Sequence, residues 1–197
     1  GAFARMAKAA RWLRRGGRRS LFLVLRALTR VCGFRHAPAL GKLLGELEYW
    51  ICWRRRRRCA HDMALALGRP VGDPWVATQL RHAHHAHAQA VLEILAMFDR
   101  RHDERVLASR LVLEGTQHLQ SALTEGRGAI LLGTHAGNGV LLAVLLAAAG
   151  WPVSVVYRQA RMMSAEFFAR GFALYGLEAI LANEGLRVPS LRLTRGE

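Results

Sequence analysis

The chain has 197 residues with 52% apolar content, so it is long enough for one domain with a real core and is not a disordered polymer. Its net charge of +15 is concentrated at the front, where residues 1–60 carry sixteen Lys/Arg against only Glu46 and Glu48. Three cysteines, Cys32, Cys52 and Cys59, show no C-x-x-C or Cys/His metal spacing, which argues against a disulfide framework and fits reduced thiols. Residues 1–19 are arginine-rich with scattered apolar positions. Residues 20–34 predict an apolar helix in which Arg26 and Arg30 share one face, suited to lying in a membrane interface with both arginines reaching lipid phosphates. Its apolar run is too short for a cleavable signal peptide and is broken by Arg26. Residues 40–53 predict a second apolar helix, closed by the arginines of 54–58, where basic charge would suit a helix C-terminus.

Residues 68–73 read as a turn, and residues 75–100 as a long helix with Leu80, Ala83, His87, Val91, Leu95 and Phe98 near one face. His82, His84, His85 and His87 on that helix include no i,i+4 pair. His82 with His85 is an i,i+3 pair that could ligate, and ordinary helix-surface or interface histidines are the simpler reading; no metal and no cofactor is expected. Residues 112–115 predict an edge strand, and residues 116–125 a helix capped by Thr116.

Residues 129–158 are the most informative stretch. A short apolar run at 129–132 stops at Gly133-Thr134-His135, and the turn Gly137-Asn138-Gly139 follows. An apolar segment at 140–149 and a β-branched run at 153–157 come next, ending at Arg158. The pattern predicts strand, loop, buried helix, strand, one parallel β-α-β unit. A membrane span of similar length is disfavoured by His135, Asn138, the glycines and the period-2 run. His135 then lies past a strand's carboxyl end, where open α/β sheets bind ligands. A helix at 164–175, capped by Ser164, and a strand at 177–181 complete the pattern. The expected class is α/β: a helical, basic N-terminal region followed by a mostly parallel sheet with flanking helices. Residues 1–60 are expected to form membrane-associating helices and residues 61–197 the front part of an α/β domain.

Several segments together resemble a known family. Leu113-Glu114-Gly115-Thr116-Gln117-His118-Leu119, the run 126–132, Thr134-His135-Ala136-Gly137-Asn138 and the run 150–158 (GWPVSVVYR) are similar to motifs of the late acyltransferases of lipid A biosynthesis, the bacterial lauroyl/myristoyl transferases of the lysophospholipid acyltransferase superfamily. The resemblance runs from about Leu21 to Leu181. It implies transfer of a fatty acyl group from an acyl-carrier-protein thioester, or acyl-CoA, to a lipid hydroxyl of a lipid A precursor-like acceptor. It implies His135 as general base and an anionic membrane lipid as partner, at the cytoplasmic face of a bacterial inner membrane. Arg170 resembles an arginine that the family carries at this place, with a plain surface charge as the alternative. Arg158 can hold phosphate or phosphopantetheine beside the same crevice. Backbone donors near Gly137 and Asn138 can meet a developing oxyanion.

Two departures stand out. The family pattern H-x4-D/E places an acid five residues after the histidine; that position is Val140, and no Asp or Glu lies between His135 and Gln159. The family's later strands also have no counterpart after Leu181, so the chain reads as the front of an incomplete acyltransferase fold. Loss of the orienting carboxylate costs about 10⁴-fold in the serine-protease analogue. Three outcomes stay open: His135 working alone or with a distant acid such as Glu93 or Glu178, a different donor or acceptor, or a catalytically degenerate lipid-binding member. Nucleic acid is not an expected partner, since no nucleic-acid fold accompanies the arginines.

Overall fold

Eight α-helices, a short 3-10 helix (Phe34–His36) and two short strands make up the regular structure among the described residues of this computed structural model, which are 2–126, 128–134, 137–158 and 163–182, with side chains from residue 16 onward. The helices are α1 (Ala2–Cys32), α2 (Ala37–Ile51), α3 (Trp53–Ala66), α4 (Pro74–Asp99), α5 (Glu104–Ala108), α6 (Thr116–Thr124), α7 (Gly139–Ala148) and α8 (Ala165–Ala173). The strands β1 (Ser154–Tyr157) and β2 (Glu178–Leu181) pair in parallel. This is an α/β chain with a small parallel sheet flanked by helices. It divides into two units: Leu28–Ala96, and the first 27 residues together with those from Met97 on.

The Leu28–Ala96 unit is helical. α2 meets α4 through Gly41 and Gly45, four residues apart and therefore on one helix face. A Cβ at Gly45 would stand 2.6 Å from the His84 carbonyl oxygen and His85 Cα, and one at Gly41 would stand 2.6 Å from Gln89 Cα. The two backbones therefore approach as closely as glycine allows. Beside this crossing runs a polar clamp. Glu46 accepts from the Arg81 guanidinium, from Trp50 Nε1 at 2.8 Å, and lies 2.9 Å from His85 Nε2. Glu48 accepts from Arg55 at 2.8 Å and lies 3.3 Å from His84 Nδ1. The Arg81 bond, then His85, holds the Glu46 carboxyl down at about 2.

Two expectations need correction in this unit. The arginines of 54–58 do not close α2. The chain breaks at Cys52, and they open α3 instead, where Arg55 and Arg56 reach back to Glu48 and the Tyr49 carbonyl rather than serving a C-terminal dipole. The buried stripe of α4 holds at Leu80, Leu95 and Phe98 but shifts between them. Val76, Leu80, His84, Leu92 and Leu95 are buried while Ala83 and His87 are exposed, because His84 is drawn inward by Glu48 and the Tyr49 ring. The histidines 84 and 85 thus serve the α2–α4 crossing.

The second unit is organised by Phe98, at the end of α4. Its ring lies on Gly171 of α8 so closely that a Cβ there would overlap the ring atoms. Phe167, Phe168 and Phe172 surround it, with centroids 5.8, 5.6 and 5.0 Å away. Arg26 of α1 turns inward to this cluster. It bonds Asp99 at 2.6 Å and lies over the Phe167 ring at 5.6 Å, so it does not point to a lipid surface as its spacing suggested. Tyr175 donates to the Met97 carbonyl at 3.0 Å and accepts from the His102 N–H at 3.2 Å, which ties α8's exit to the end of α4. Burial pushes the Tyr175 hydroxyl up, keeping it in the neutral donor form.

The strand expectations at 112–115 and 129–132 fail. Both stretches lack strand structure, and Ile130, Leu131 and Leu132 are 76%, 60% and 97% exposed. A strand needs a ladder partner, and the only ladder among the described residues joins β1 to β2. The β-α-β unit present is therefore β1, α8, β2, one step later in the chain than the sequence pattern suggested. Thr116 begins α6 without capping it; the cap position belongs to Gly115.

Three outcomes follow. Gly45→Ala should destabilise the protein by about 1–3 kcal/mol, read by urea denaturation, since backbone atoms must yield. Gly17→Ala, in a helix with nothing within 4 Å, should instead stabilise by up to about 1 kcal/mol. Glu46 is lowered from 4.5 to about 2, so its stabilising effect is complete above pH 4.5 and is lost as pH falls toward 2. The urea midpoints of wild type and Glu46→Gln should converge across that window; a constant gap would contradict the clamp.

Candidate functional site

The site develops at the entrance of α7. Gly137 has φ 71°, a left-handed conformation that a Cβ would strain. It turns the chain into Asn138, whose side-chain oxygen accepts from the Leu141 N–H at 3.1 Å. Asn138 is thus the N-cap of α7 and fixes where that helix starts. The amides of Gly139 and Val140, in the first turn, have no intrahelical partner and carry the positive end of the helix dipole. Leu141, Val144, Leu145 and Leu146 are buried and anchor the helix, and α5 lies against it. The result is a fixed pair of amide donors next to exposed Gly137, an arrangement able to bind an anion or a developing oxyanion.

His135 itself, with Ala136, lies outside the described residues. Its described neighbours, Thr134 and Gly137, are both exposed. Val140 is half-buried in the first turn of α7.

Arg158 follows directly on β1 and is exposed. The register pairs Ser154 with Glu178 and Tyr157 with Leu181, so Arg158 stands past the carboxyl end of the parallel sheet. Tyr157 holds that end in place. Its hydroxyl donates to the Ala165 carbonyl at 3.1 Å, and its ring stacks on Phe168 at 5.6 Å. Ser164 caps α8 by accepting from the Phe167 N–H at 3.1 Å, as its place in the sequence suggested.

Arg170 lies on the exposed face of α8, with its Nε 3.9 Å from Glu166, an i,i+4 pair in solvent. It lies outside the buried stripe of Phe167, Phe168, Gly171 and Phe172. Gly137 and Asn138 are therefore joined at one helix entrance, Arg158 stands at a strand end, and Arg170 occupies an outer helix face. Of the two distant acids, Glu178 is hydrogen-bonded to Ser154 Oγ at 3.1 Å at the amino end of the sheet, the end opposite Arg158. Glu93 is buried on α4 and accepts from Gln89 at 2.8 Å. Tyr157 was not singled out from the sequence as a positioning residue. The signal was an aromatic at a strand's last position followed eight residues later by a helix start.

Residues 5–170 match the family described as bacterial lipid A biosynthesis acyltransferase, a range that takes in the 134–138 loop, the start of α7, Arg158 and Arg170. No curated protein matches the sequence. The match covers well over half of the chain and includes every element of the candidate site, so the chain belongs to the bacterial lipid A biosynthesis acyltransferase family.

Proposed function

We propose that this protein is a membrane-surface acyltransferase that moves a fatty acyl group from an acyl-carrier-protein thioester to a hydroxyl of a lipid A precursor-like acceptor. Acyl transfer to a lipid is the chemistry of its family. The carrier-protein donor, with acyl-CoA as the other candidate, and the acceptor are the finer reading. The observation that carries it is the family match across a loop that ends in a capped helix start.

In this reading His135 takes the proton from the acceptor hydroxyl as its oxygen attacks the thioester carbonyl. The tetrahedral oxyanion meets the Gly139 and Val140 amides. The C–S bond then breaks, and the thiolate leaves with the proton returned from the imidazolium. Arg158 and Arg170 supply guanidinium groups suited to phosphate on donor or acceptor. Residues 1–60 hold the enzyme on anionic lipid at the cytoplasmic face of the inner membrane. Among the described residues no helix is long and apolar enough to cross a membrane, which suits attachment along the surface.

Val140 favours a second reading. An apolar side chain stands at the family's acid position, so the imidazolium lacks its usual carboxylate, and a lipid-binding member without turnover would look the same.

The experiment is acyl transfer from radiolabelled acyl carrier protein to a lipid A precursor. His135→Ala should lower turnover by about 10²–10⁴-fold, and unchanged turnover would remove His135 from the mechanism. Val140→Glu should raise turnover by about tenfold or more, since an acid in the first turn of α7 also suits the helix dipole. Activity absent from wild type but present in Val140→Glu would establish the degenerate reading.

A further inference from the structure

α2 has two faces with opposite fates. Gly41 and Gly45 are buried against α4. On the other side Leu43, Leu47, Trp50 and Ile51, at i, i+4, i+7 and i+8, form one stripe and are 66%, 54%, 61% and 66% exposed. A row of four large apolar side chains on a helix that already has its packing face filled is not spare core. It is the signature of a docking surface.

The charge next to this stripe is biased. Both acids of α2 are engaged by cations, Glu46 by Arg81 and Glu48 by Arg55. α3 then opens with Arg54, Arg57 and Arg58, all exposed, and Arg57 and Arg58 have no carboxylate partner among the described residues. The guanidinium groups are interleaved with indoles. Arg56 lies over Trp50 at 5.2 Å and over Tyr49 at 4.7 Å, and Arg54 lies over Trp53 at 5.3 Å. Arg56 also donates to the Tyr49 carbonyl at 3.1 Å, so the end of α2 and the start of α3 form one connected surface.

We propose that the outward face of α2 and the arginines opening α3 form an in-plane docking surface for an anionic lipid bilayer, with Leu43, Leu47, Trp50 and Ile51 entering the headgroup boundary and Arg54, Arg57 and Arg58 meeting lipid phosphates. Charge complementarity selects this occupant. A second copy of the chain would bring the same uncompensated arginines face to face. A duplex would satisfy the arginines but leave four large apolar side chains against phosphate and water. An anionic bilayer alone satisfies both, with tryptophans at the level where aromatic rings settle. The inference deepens the proposed lipid-surface enzyme by naming the surface that meets the lipid.

The test is flotation of the full chain with phosphatidylcholine vesicles, with and without phosphatidylglycerol. Wild type should float with the anionic vesicles and release as salt is raised. Arg57→Gln/Arg58→Gln should weaken binding by about fivefold per arginine, and Trp50→Ser/Ile51→Ser by about tenfold or more. Both pairs are solvent-exposed, and circular dichroism checks their folding. If either variant fails to fold, quenching by brominated lipid decides: it should fall in Trp50→Phe/Trp53→Phe, and quenching that stays at the wild-type level overturns the proposal. Flotation unchanged in both variants also overturns it, as does binding to duplex DNA without binding to vesicles. His135→Ala should float like wild type, so a failure of docking and a failure of catalysis are read separately.

Discussion

Phe98 lies against Gly171 where any side chain would collide with its ring, and this contact fixes α8 onto the end of α4. From there the order of placement runs outward. Phe168 and Phe172 of α8 carry Tyr157 on their faces. Tyr157 is the last residue of β1, and its hydroxyl is bonded to the first turn of α8. The strand therefore ends at a point set by the helix that follows it, and Arg158 emerges there. A phenyl ring of this size buries a large apolar area, and edge-to-face neighbours add about 0.5–1.5 kcal/mol per pair. Among the described residues the sheet has two strands of four residues each, too little hydrogen bonding to stand alone. It depends on this aromatic cluster, and not the reverse. Arg26 extends the same logic to α1, because its guanidinium is shared between Asp99 and the Phe167 ring.

The helical unit solves a related problem with different chemistry. Close approach of α2 to α4 leaves no room for apolar side chains at Gly41 and Gly45, so little hydrophobic area is gained there. Polar partners on either side of the crossing compensate. Glu46 takes Arg81 and His85 from α4, and Glu48 takes His84. The pairs also consume the acids of the front region. What is left over is cationic, and it sits beside the exposed tryptophans.

How much of this can be read from the residues depends on the range of the interaction. Helices α2, α4, α6, α7 and α8 are legible because their apolar patterns and the turns that flank them are local. Ser164 before α8 is the clearest case, and the Asn138 cap lies within the turn that the glycines announce. Strands are another matter. Residues 129–132 and 153–157 look alike as short apolar runs, yet only the second finds a ladder partner among the described residues, at β2. Pairing is a tertiary event, and no local pattern decides it. Arg26 illustrates the same limit: its spacing from Arg30 suggests a cationic stripe, but Asp99, 73 residues away, claims it. The glycines at 41 and 45 carried a readable signal, small residues one helical turn apart. Their partner helix was not readable.

The candidate site shares this division. The loop motif and the Val140 departure are properties of the sequence, while the stability of the amides at the helix start is a property of α7. That helix is held by Leu141, Val144 and Leu145 in the core and by Asn138 at its start, none of which depends on an acid at position 140. A valine there leaves the helix entrance, the cap and the amides in place. Within the proposed reaction, its effect falls on the proton transfer assigned to His135. Binding of a carbonyl oxygen or a phosphate at the helix start does not require the missing carboxylate, and neither does contact with lipid. In the proposed reaction the helix start keeps its amide donors under either reading, and the two readings differ at the proton transfer assigned to His135.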